Sequence, residues 1–358
     1  MAVTIRDIAE KLGVAPGTVS KGLNGAKDIS ESTRKLILDT AVEMGYTTKR
    51  AKKAVDHRLV LFIENMRYDT EDLFGYDVVL GFQQVANQEN WPVDVVPITP
   101  DYQKENPYDR TMRANGYIAS YLVGLSLKDP WMQELQDTPY PTVLLDNYIG
   151  TNRNVCSLST DNEEAMNLMI SHLISLGHEK IAFLDGSAGS LVSDQRMQYY
   201  LSTMRRYHLP INPNMAVYGY FVSDAAKYHV PNFVELGATA ILCGNDDIAK
   251  GVIESLNPLG LKVPEDVSVI GFDDMPFAAH LNPPLTTIRQ DRLALGRAAA
   301  YSINALLGDC ALSRPQLRPE LVVRKSTAKA RPRLVTKLVE EKDSVLRVNP
   351  SLYETIMR

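Results

Sequence analysis

Apolar residues recur along this chain at two spacings, and the change from one to the other falls near residue 58. In the first stretch Ile5, Ile8, Ala9 and Leu12 stand at i, i+3, i+4 and i+7, which lines one face of a helix and leaves Arg6, Glu10 and Lys11 in water. Thr4 can cap this helix while Asp7 reaches back to its free amides, so the pattern predicts a start at Ile5. Gly13 supplies a tight turn. A second helix is predicted from Pro16, whose missing N–H is harmless in a first turn, to Asn24, with Val19 and Leu23 inward. Ser30 with Glu31 begins a third, and Gly45 after Met44 ends it. The outward face of the second helix carries Gly17, Thr18, Ser20, Lys21 and Asn24. Short polar side chains plus a cation let a helix backbone come close to a groove while donating to base edges and phosphates.

From Leu59 onward, apolar runs alternate with amphipathic stretches, the signal of parallel strands joined by crossover helices. The runs predict strands over 59–63, 93–98, 117–123, 142–146, 155–159, 180–185, 216–220, 238–243 and 267–272, and helices over 76–90, 162–176, 194–207, 246–256 and 291–307. The roughly 300 residues involved exceed one comfortable core, so two lobes are expected. Ligands of open parallel sheets collect beyond the carboxyl ends of strands. Asp146 closes a strand, Arg196 begins a helix after the GSAGSLVSD loop, Asn245 follows ILCG and Asp273 follows VIGF. Carboxylates, an Arg fork and an amide form a set able to read vicinal hydroxyls, and Phe221 can offer an aromatic face beneath a sugar ring. Each Asp alone would more readily be a cap or turn former. Four such residues at corresponding strand ends point to a ligand, whereas Asp161 and Asp274 are assigned as caps.

Charge separates a solvated three-helix bundle from a nucleic-acid reader. Residues 1–58 carry eleven Lys/Arg and seven Asp/Glu, net +4, which leaves −9 for the rest of a chain whose total is −5. A cationic head on an acidic body fits a duplex-binding module. Cys156, Cys243 and Cys310 are odd in number and widely spaced, which suggests a reducing cytoplasm without disulfides. There is no signal peptide and no bilayer-length apolar run, so no membrane association is expected. His172 and His178 lack partners at metal spacing, and no Walker loop, GxSxG elbow or GxGxxG after a strand occurs. No metal, cofactor or catalytic residue is assigned.

The segment GVAPGTVSKGLN is similar to the GVSxxTVSRxLN signature of the lactose-repressor (LacI/GalR) family, and NPPLTTIRQD, residues 282–291, resembles that family's PPLTTIxQ crossover. The resemblance runs to about Thr327 and implies an α/β fold: an N-terminal three-helix helix-turn-helix domain plus a two-lobed, periplasmic-binding-protein-like parallel α/β domain. It implies that Pro16, Gly17 and Lys21 read bases, while Thr4, Ile5, Thr18, Ser20, Asn24, Ser30, Thr33 and Tyr46 position the module on the DNA backbone. Ala15 replaces the usual Ser and Lys21 the usual Arg, and neither Pro16 nor Gly17 has a donor. Direct readout is therefore expected to lean on Lys21 and apolar contacts, with duplex deformability contributing more. The linker TTKRAKKAVDHR, residues 47–58, places Val55 where relatives insert a Leu wedge into the minor groove. Val55 either forms that wedge or begins the next strand, with Lys49 to Lys53 over phosphates.

The resemblance also implies three crossovers between lobes, placed near Ser159, Ile288 and Pro319. The expected domains are a reader with hinge (1–58), a core (59–328; first lobe about 59–159 and 288–319, second lobe about 160–287 and 320–328) and a tail (329–358). Effector contact is carried onto Asp146, Arg196, Asn245, Asp273 and Phe221, with Tyr76 and Asn65 as further candidates, and Gln290 is given a structural role in preference to contact with the effector network. Expected partners are operator DNA, a mono- or disaccharide with a nucleobase or nucleoside as rival, and a second copy in a homodimer matching a near-palindromic site. In the tail, Leu334, Val335, Leu338, Val339, Val345 and Leu346 make a stripe too short for a coiled coil. Two other classes stay open: a pleiotropic regulator governed by a phosphorylated carrier protein, and a sugar-binding protein or hydrolase on the same α/β body.

Overall fold

The computed structural model describes residues 4–23, 26, 29–44 and 58–331. Asn24, Gly45, Tyr46, the linker up to His57 with Val55, and the tail stripe lie outside the described residues.

The head comprises α1 (Ile5–Leu12), α2 (Pro16–Leu23) and α3 (Glu31–Glu43). Its first turn is fixed locally: Thr4 N donates to the Asp7 carboxylate at 2.7 Å and Asp7 N returns a bond to Thr4 Oγ1 at 3.4 Å, a complete capping box. The bonds it accepts from Thr4 N and Thr4 Oγ1 hold the Asp7 carboxyl below its usual range. Gly13 ends α1 with φ 64°, the left-handed conformation a side chain would resist. Ile8, Ala9, Val19, Ile37 and Ala41 form the core, with Ile5, Leu12 and Leu23 partly buried around it.

The body begins with β1 (Arg58–Ile63), α4 (Phe74–Gln88), β2 (Val93–Pro97), α5 (Pro100–Glu105), α6 (Tyr108–Asn115), β3 (Tyr117–Val123), α7 (Pro130–Glu134), β4 (Thr142–Leu145) and β5 (Val155–Thr160). It continues with α8 (Asn162–Ser175), β6 (Ile181–Ser187), α9 (Leu191–Arg206), β7 (Ala216–Gly219), α10 (Ala226–Glu235), β8 (Ala240–Cys243), α11 (Asp246–Leu256) and β9 (Ser268–Asp273). The last elements are β10 (Thr286–Arg289), α12 (Arg292–Leu307), β11 (Gln316–Leu317) and β12 (Glu320–Val322). Two six-stranded sheets result, in the orders β11-β5-β4-β3-β1-β2 and β12-β10-β9-β8-β6-β7. The described pairings are parallel except β10 with β12.

Both faces of each sheet are covered, which explains why the strands read as unbroken apolar runs. On β1, Leu59, Leu61 and Ile63 pack with Val78, Phe82, Leu295 and Ile303 of α4 and α12. Val60 and Phe62, of opposite direction, join Tyr108, Met112 and Trp131. In the second sheet Leu184 and Ile241 meet Phe233 and Val252, while Phe183 and Leu242 meet Met169 and Tyr200. Helices α4 and α12 touch through glycines: a Cβ on Gly81 would stand 2.1 Å from the Leu293 carbonyl, and one on Gly296 2.1 Å from that of Val78. So close an approach admits no side chain at either position.

The chain passes between sheets after β5, after β10 and between β11 and β12. The middle passage differs from the expected one. The β9–β10 ladder continues through Ile288↔Phe272 and Arg289↔Asp273, so residues 288 and 289 stay in the second lobe and the crossing falls at Gln290 and Asp291. Among the described residues no helix is long and apolar enough to cross a membrane.

Candidate functional sites: an interlobe cleft and a helix-turn-helix face

The carboxyl ends of both sheets open onto one cleft of about 350 Å3, near the lower end of the ~300–1,000 Å3 usual for small-molecule sites. Its first wall is made by the segments that follow β1, β3 and β4: Asn65 and Met66, Gly124 to Ser126, and Asp146 with Asn147. The loop after β6 (Ser187 to Ser190), Arg196, Phe221, Asn245 and Asp273 make the second, and Gln290 of the middle crossover completes it. Asn65, Asp146 and Asp273 all have positive φ, 50°, 55° and 112°. Asn and Asp enter this region more easily than bulky residues, and three of them bordering one cavity is the clustering expected where backbone strain serves a site.

The second wall is fixed by a hydrogen-bonded network. Arg196 lies 3.6 Å over the Phe272 ring, donates Nε to Asn162 Oδ1 at 2.9 Å and Nη1 to the Gly244 carbonyl at 2.7 Å, and is 3 % exposed. Gln290 Nε2 donates to Asp273 Oδ1 at 2.6 Å, and its Oε1 accepts from Thr160 Oγ1 of the first crossover, also at 2.6 Å. Arg292 donates to the Asp273 carbonyl at 2.9 Å and pairs with Asp77 of α4 at 3.0 Å. Beneath them Asp246 accepts from Thr287 Oγ1 and Met275 N. Asn245 caps α11 through Ile248 N at 2.8 Å, and Phe221 lies against Gly186, where a Cβ would stand 2.1 Å from its ring.

Burial pushes the Asp146 and Asp273 carboxyls up to about 6, against the pull of the Arg196 guanidinium on both. Asp185, buried behind the same wall, is pushed up to about 7. Near neutral pH the cleft therefore presents two carboxylate acceptors and one Arg whose fork is partly committed to protein. Hydroxyl donors suit it, and an anion would meet like charge on both walls.

Of the seven effector candidates, Asn65, Asp146, Arg196, Phe221, Asn245 and Asp273 line this cleft. Tyr76 does not. Helix α4 begins at Phe74, two residues before the predicted start, and Phe74 occupies the wall instead. Gln290 both lines the cleft and bonds its crossover. Asp161 is the cap expected of it, bonding Glu164 N at 2.9 Å. Asp274 is not a cap; it pairs with Arg289 at 2.8 Å and Arg324 at 2.5 Å. Sequence reasoning missed Met66, Ser126 and Asn147, although the rule of strand ends applies to the segments after β1, β3 and β4 as well.

On the head, α2 places Pro16, Gly17 and Lys21 at the surface, with Thr18 and Ser20 half-buried beside them and Ala15 exposed just before. A Cβ on Gly17 would meet nothing within 4 Å, so packing does not require the bare backbone there. Ser30 caps α3 by accepting from Thr33 N at 3.1 Å, and Thr33 Oγ1 lies 2.7 Å from Ser30 Oγ. Thr4 and Ile5 sit at the start of α1 with the capping box between them and the turn.

Comparison with known proteins follows the same division. The model of "Bacterial regulatory proteins, lacI family" matches residues 4–49, and that of "Periplasmic binding protein-like domain" matches residues 170–327. The Bacillus subtilis (strain 168) protein described as "Probable HTH-type transcriptional repressor ExuR" is 28% identical over 328 residues, 90% of this chain and 95% of that protein. The HTH-type transcriptional repressor PurR of Vibrio vulnificus (strain CMCP6) is 27% identical over 332 residues, 91% of this chain and 99% of its own. Among solved structures, the lac repressor dimer bound to operator and the anti-inducer ONPF superposes with a TM-score of 0.66 at 25% identity, covering 92% of this chain and 100% of that one.

Proposed function

This chain belongs to the lacI family of DNA-binding transcriptional repressors, and from that premise we propose that a mono- or disaccharide held between its lobes sets its grip on operator DNA. The observation that carries the reading is the convergence of Asp146, Asp273, Arg196, Asn65, Asn245 and Phe221 on one cleft between the two sheets. Uncharged ligands rich in hydroxyls match its acceptors, its partly committed Arg and its two aromatic side chains, Phe74 and Phe221. The protein works as a homodimer in the cytoplasm, with residues 1–58 as reader, 59–328 as effector body and 329–358 as tail. Closing or opening the lobes changes the separation of the two heads. By linkage the effector alters operator affinity by the factor with which operator alters effector affinity.

On the DNA side, Lys21 supplies the principal base donor of α2, with the bare surface at Pro16 and Gly17 allowing close approach. Replacing Lys21 by Ala should cost roughly tenfold or more on the cognate site, since a good base contact is worth about 1–3 kcal/mol, and much less on random duplex. Equal losses on both would make Lys21 a phosphate contact. The effector is tested by thermal-shift screening of a sugar and nucleoside panel, followed by operator binding with each hit on genomic fragments selected by the protein itself. A nucleoside that stabilises the chain and shifts operator affinity, where no sugar does, would replace the saccharide.

A further inference from the structure

The first lobe buries two carboxyl side chains in contact with each other. Glu64, directly after β1, is 2 % exposed, and Asp129, the residue before α7, is 8 % exposed. They lie in one cluster joined by Gln103, which bonds Glu64 and the Trp131 amide two residues past Asp129, and each carboxyl acts on the other's proton. A hydrogen bond between them requires a proton, because two ionised carboxylates are acceptors only. Their charges would also repel strongly in a site shielded from water.

The groups facing the pair are neutral. From α5, Gln103 donates Nε2 to Glu64 Oε2 at 2.5 Å, and its Oε1 accepts from Trp131 N of α7 at 3.1 Å. Asn65 Nδ2 stands 3.5 Å from Glu64 Oε1, and Ser126 N donates to Asp129 Oδ2 at 2.5 Å. Among the described residues the charge acting on Glu64 is that of Asp129, with no cation on either carboxyl. Burial, reinforced by Asp129, pushes Glu64 up to about 7, and burial raises Asp129 as well.

Each segment touching this pair is also wall of the cleft. Asn65 and Met66 follow Glu64, while Gly124, Leu125 and Ser126 lead to Asp129. Gly124 packs so closely that a Cβ there would stand 1.9 Å from the Glu64 carbonyl oxygen. We infer that Glu64 and Asp129 share one proton, and that this proton holds segments 64–66 and 124–129 together as the first-lobe wall, which loosens when the proton leaves. Effector uptake is then weakened as pH rises through about 7, above the range in which the cleft acceptors Asp146 and Asp273 themselves titrate. That consequence rests on the reading of the cleft given above, whereas the titration itself needs no ligand, so either can fail without the other.

The sign follows from linkage. The folded chain keeps the Glu64 proton to about pH 7, whereas the unfolded chain releases it near 4.5, so stability falls as pH rises between the two. The test compares the full chain with Glu64→Gln, whose amide can donate to Asp129 at every pH. Trp131 emission and hydrogen exchange at residues 64–66 and 124–129 are followed from about pH 5.5 to 8.5, with exchange corrected for its intrinsic pH dependence. Wild type should show a midpoint near 7 and lose protection severalfold above it, while Glu64→Gln lacks that midpoint and stays protected above it, any change near pH 6 in both belonging to Asp146 and Asp273. Should Glu64→Gln fail to fold, Asp129→Asn should move the midpoint below 7 without abolishing it, since the charge of Asp129 is gone while burial of Glu64 remains, and an unmoved midpoint would overturn the shared proton. A wild type without the transition, or a Glu64→Gln variant that keeps it, overturns the shared proton.

Discussion

The two walls of the cleft are built on different plans. In the second wall four polar side chains are tied down: Arg196 to Asn162 and Gly244, Asp273 to Gln290, Gln290 to Thr160, and Asn245 to the start of α11, with Asp185 Oδ2 and Ser193 Oγ left unpartnered in the same lobe. In the first wall, Asp146 has no side-chain hydrogen bond among the described residues, Asn147 Oδ1 is buried without a partner, and Glu64 and Asp129 bond only with a proton between them. A satisfied network is rigid and costly to disturb, while unsatisfied groups leave hydrogen bonds for a ligand to complete. The contrast teaches that the side chains of the second wall nearest the cleft are largely committed to protein, while Asp146 and Asn147 of the first wall keep hydrogen-bonding capacity for a ligand.

The sharpest way to break this contrast is to remove the cation of the rigid wall. Arg196→Ala would strand Asn162 Oδ1, the Gly244 carbonyl and the neighbouring carboxyls, and should destabilise the body by about 3 kcal/mol while abolishing effector response. A variant that melts like wild type would deny the network its stabilising role. On the first wall the expected sign is opposite. The Asp146 carboxyl is raised to about 6 in the folded chain from 3.8, so its charge lowers stability progressively as pH rises through that window. Asp146→Asn should therefore gain up to about 3 kcal/mol at pH 8, lose the gain below pH 4, and bind effector more weakly. Parallel melting curves at the two pH values decide it. The smallest effect separates Phe74 from Tyr76. Phe74→Ala should weaken effector binding severalfold and Tyr76→Ala should leave it nearly unchanged, measured by titration with whichever sugar emerges from screening.

Legibility along the chain follows the range of the interactions. Helix α1 was readable to the residue because Thr4, Asp7 and Gly13 fix both of its ends within nine positions. Strands such as Tyr117–Val123 were readable because burial on two faces demands a continuous apolar run. Helices α5 and α7 and strands β11 and β12 were not, since two to six residues carry no period. The helix over Ala226–Glu235 was hidden by Pro231 in its interior. Among site residues, Asp146, Asn245 and Asp273 were visible as polar groups closing apolar runs. Phe74 was not, because the start of α4 lacks a side-chain cap to mark it.

What the sequence determined by itself is the order of elements, the charge difference between head and body, and the polar residues that close the strands, because each rests on neighbours a few positions apart. Only the tertiary structure decided what those residues do. It set Gln290 against Thr160, 130 positions earlier in the chain, and laid Arg196 on Phe272 with its fork committed to Asn162 and Gly244. It also brought Glu64 to Asp129 in the dark of the first lobe. Desolvation and long-range contact set the protonation and reach of these groups, and neither is written in local spacing.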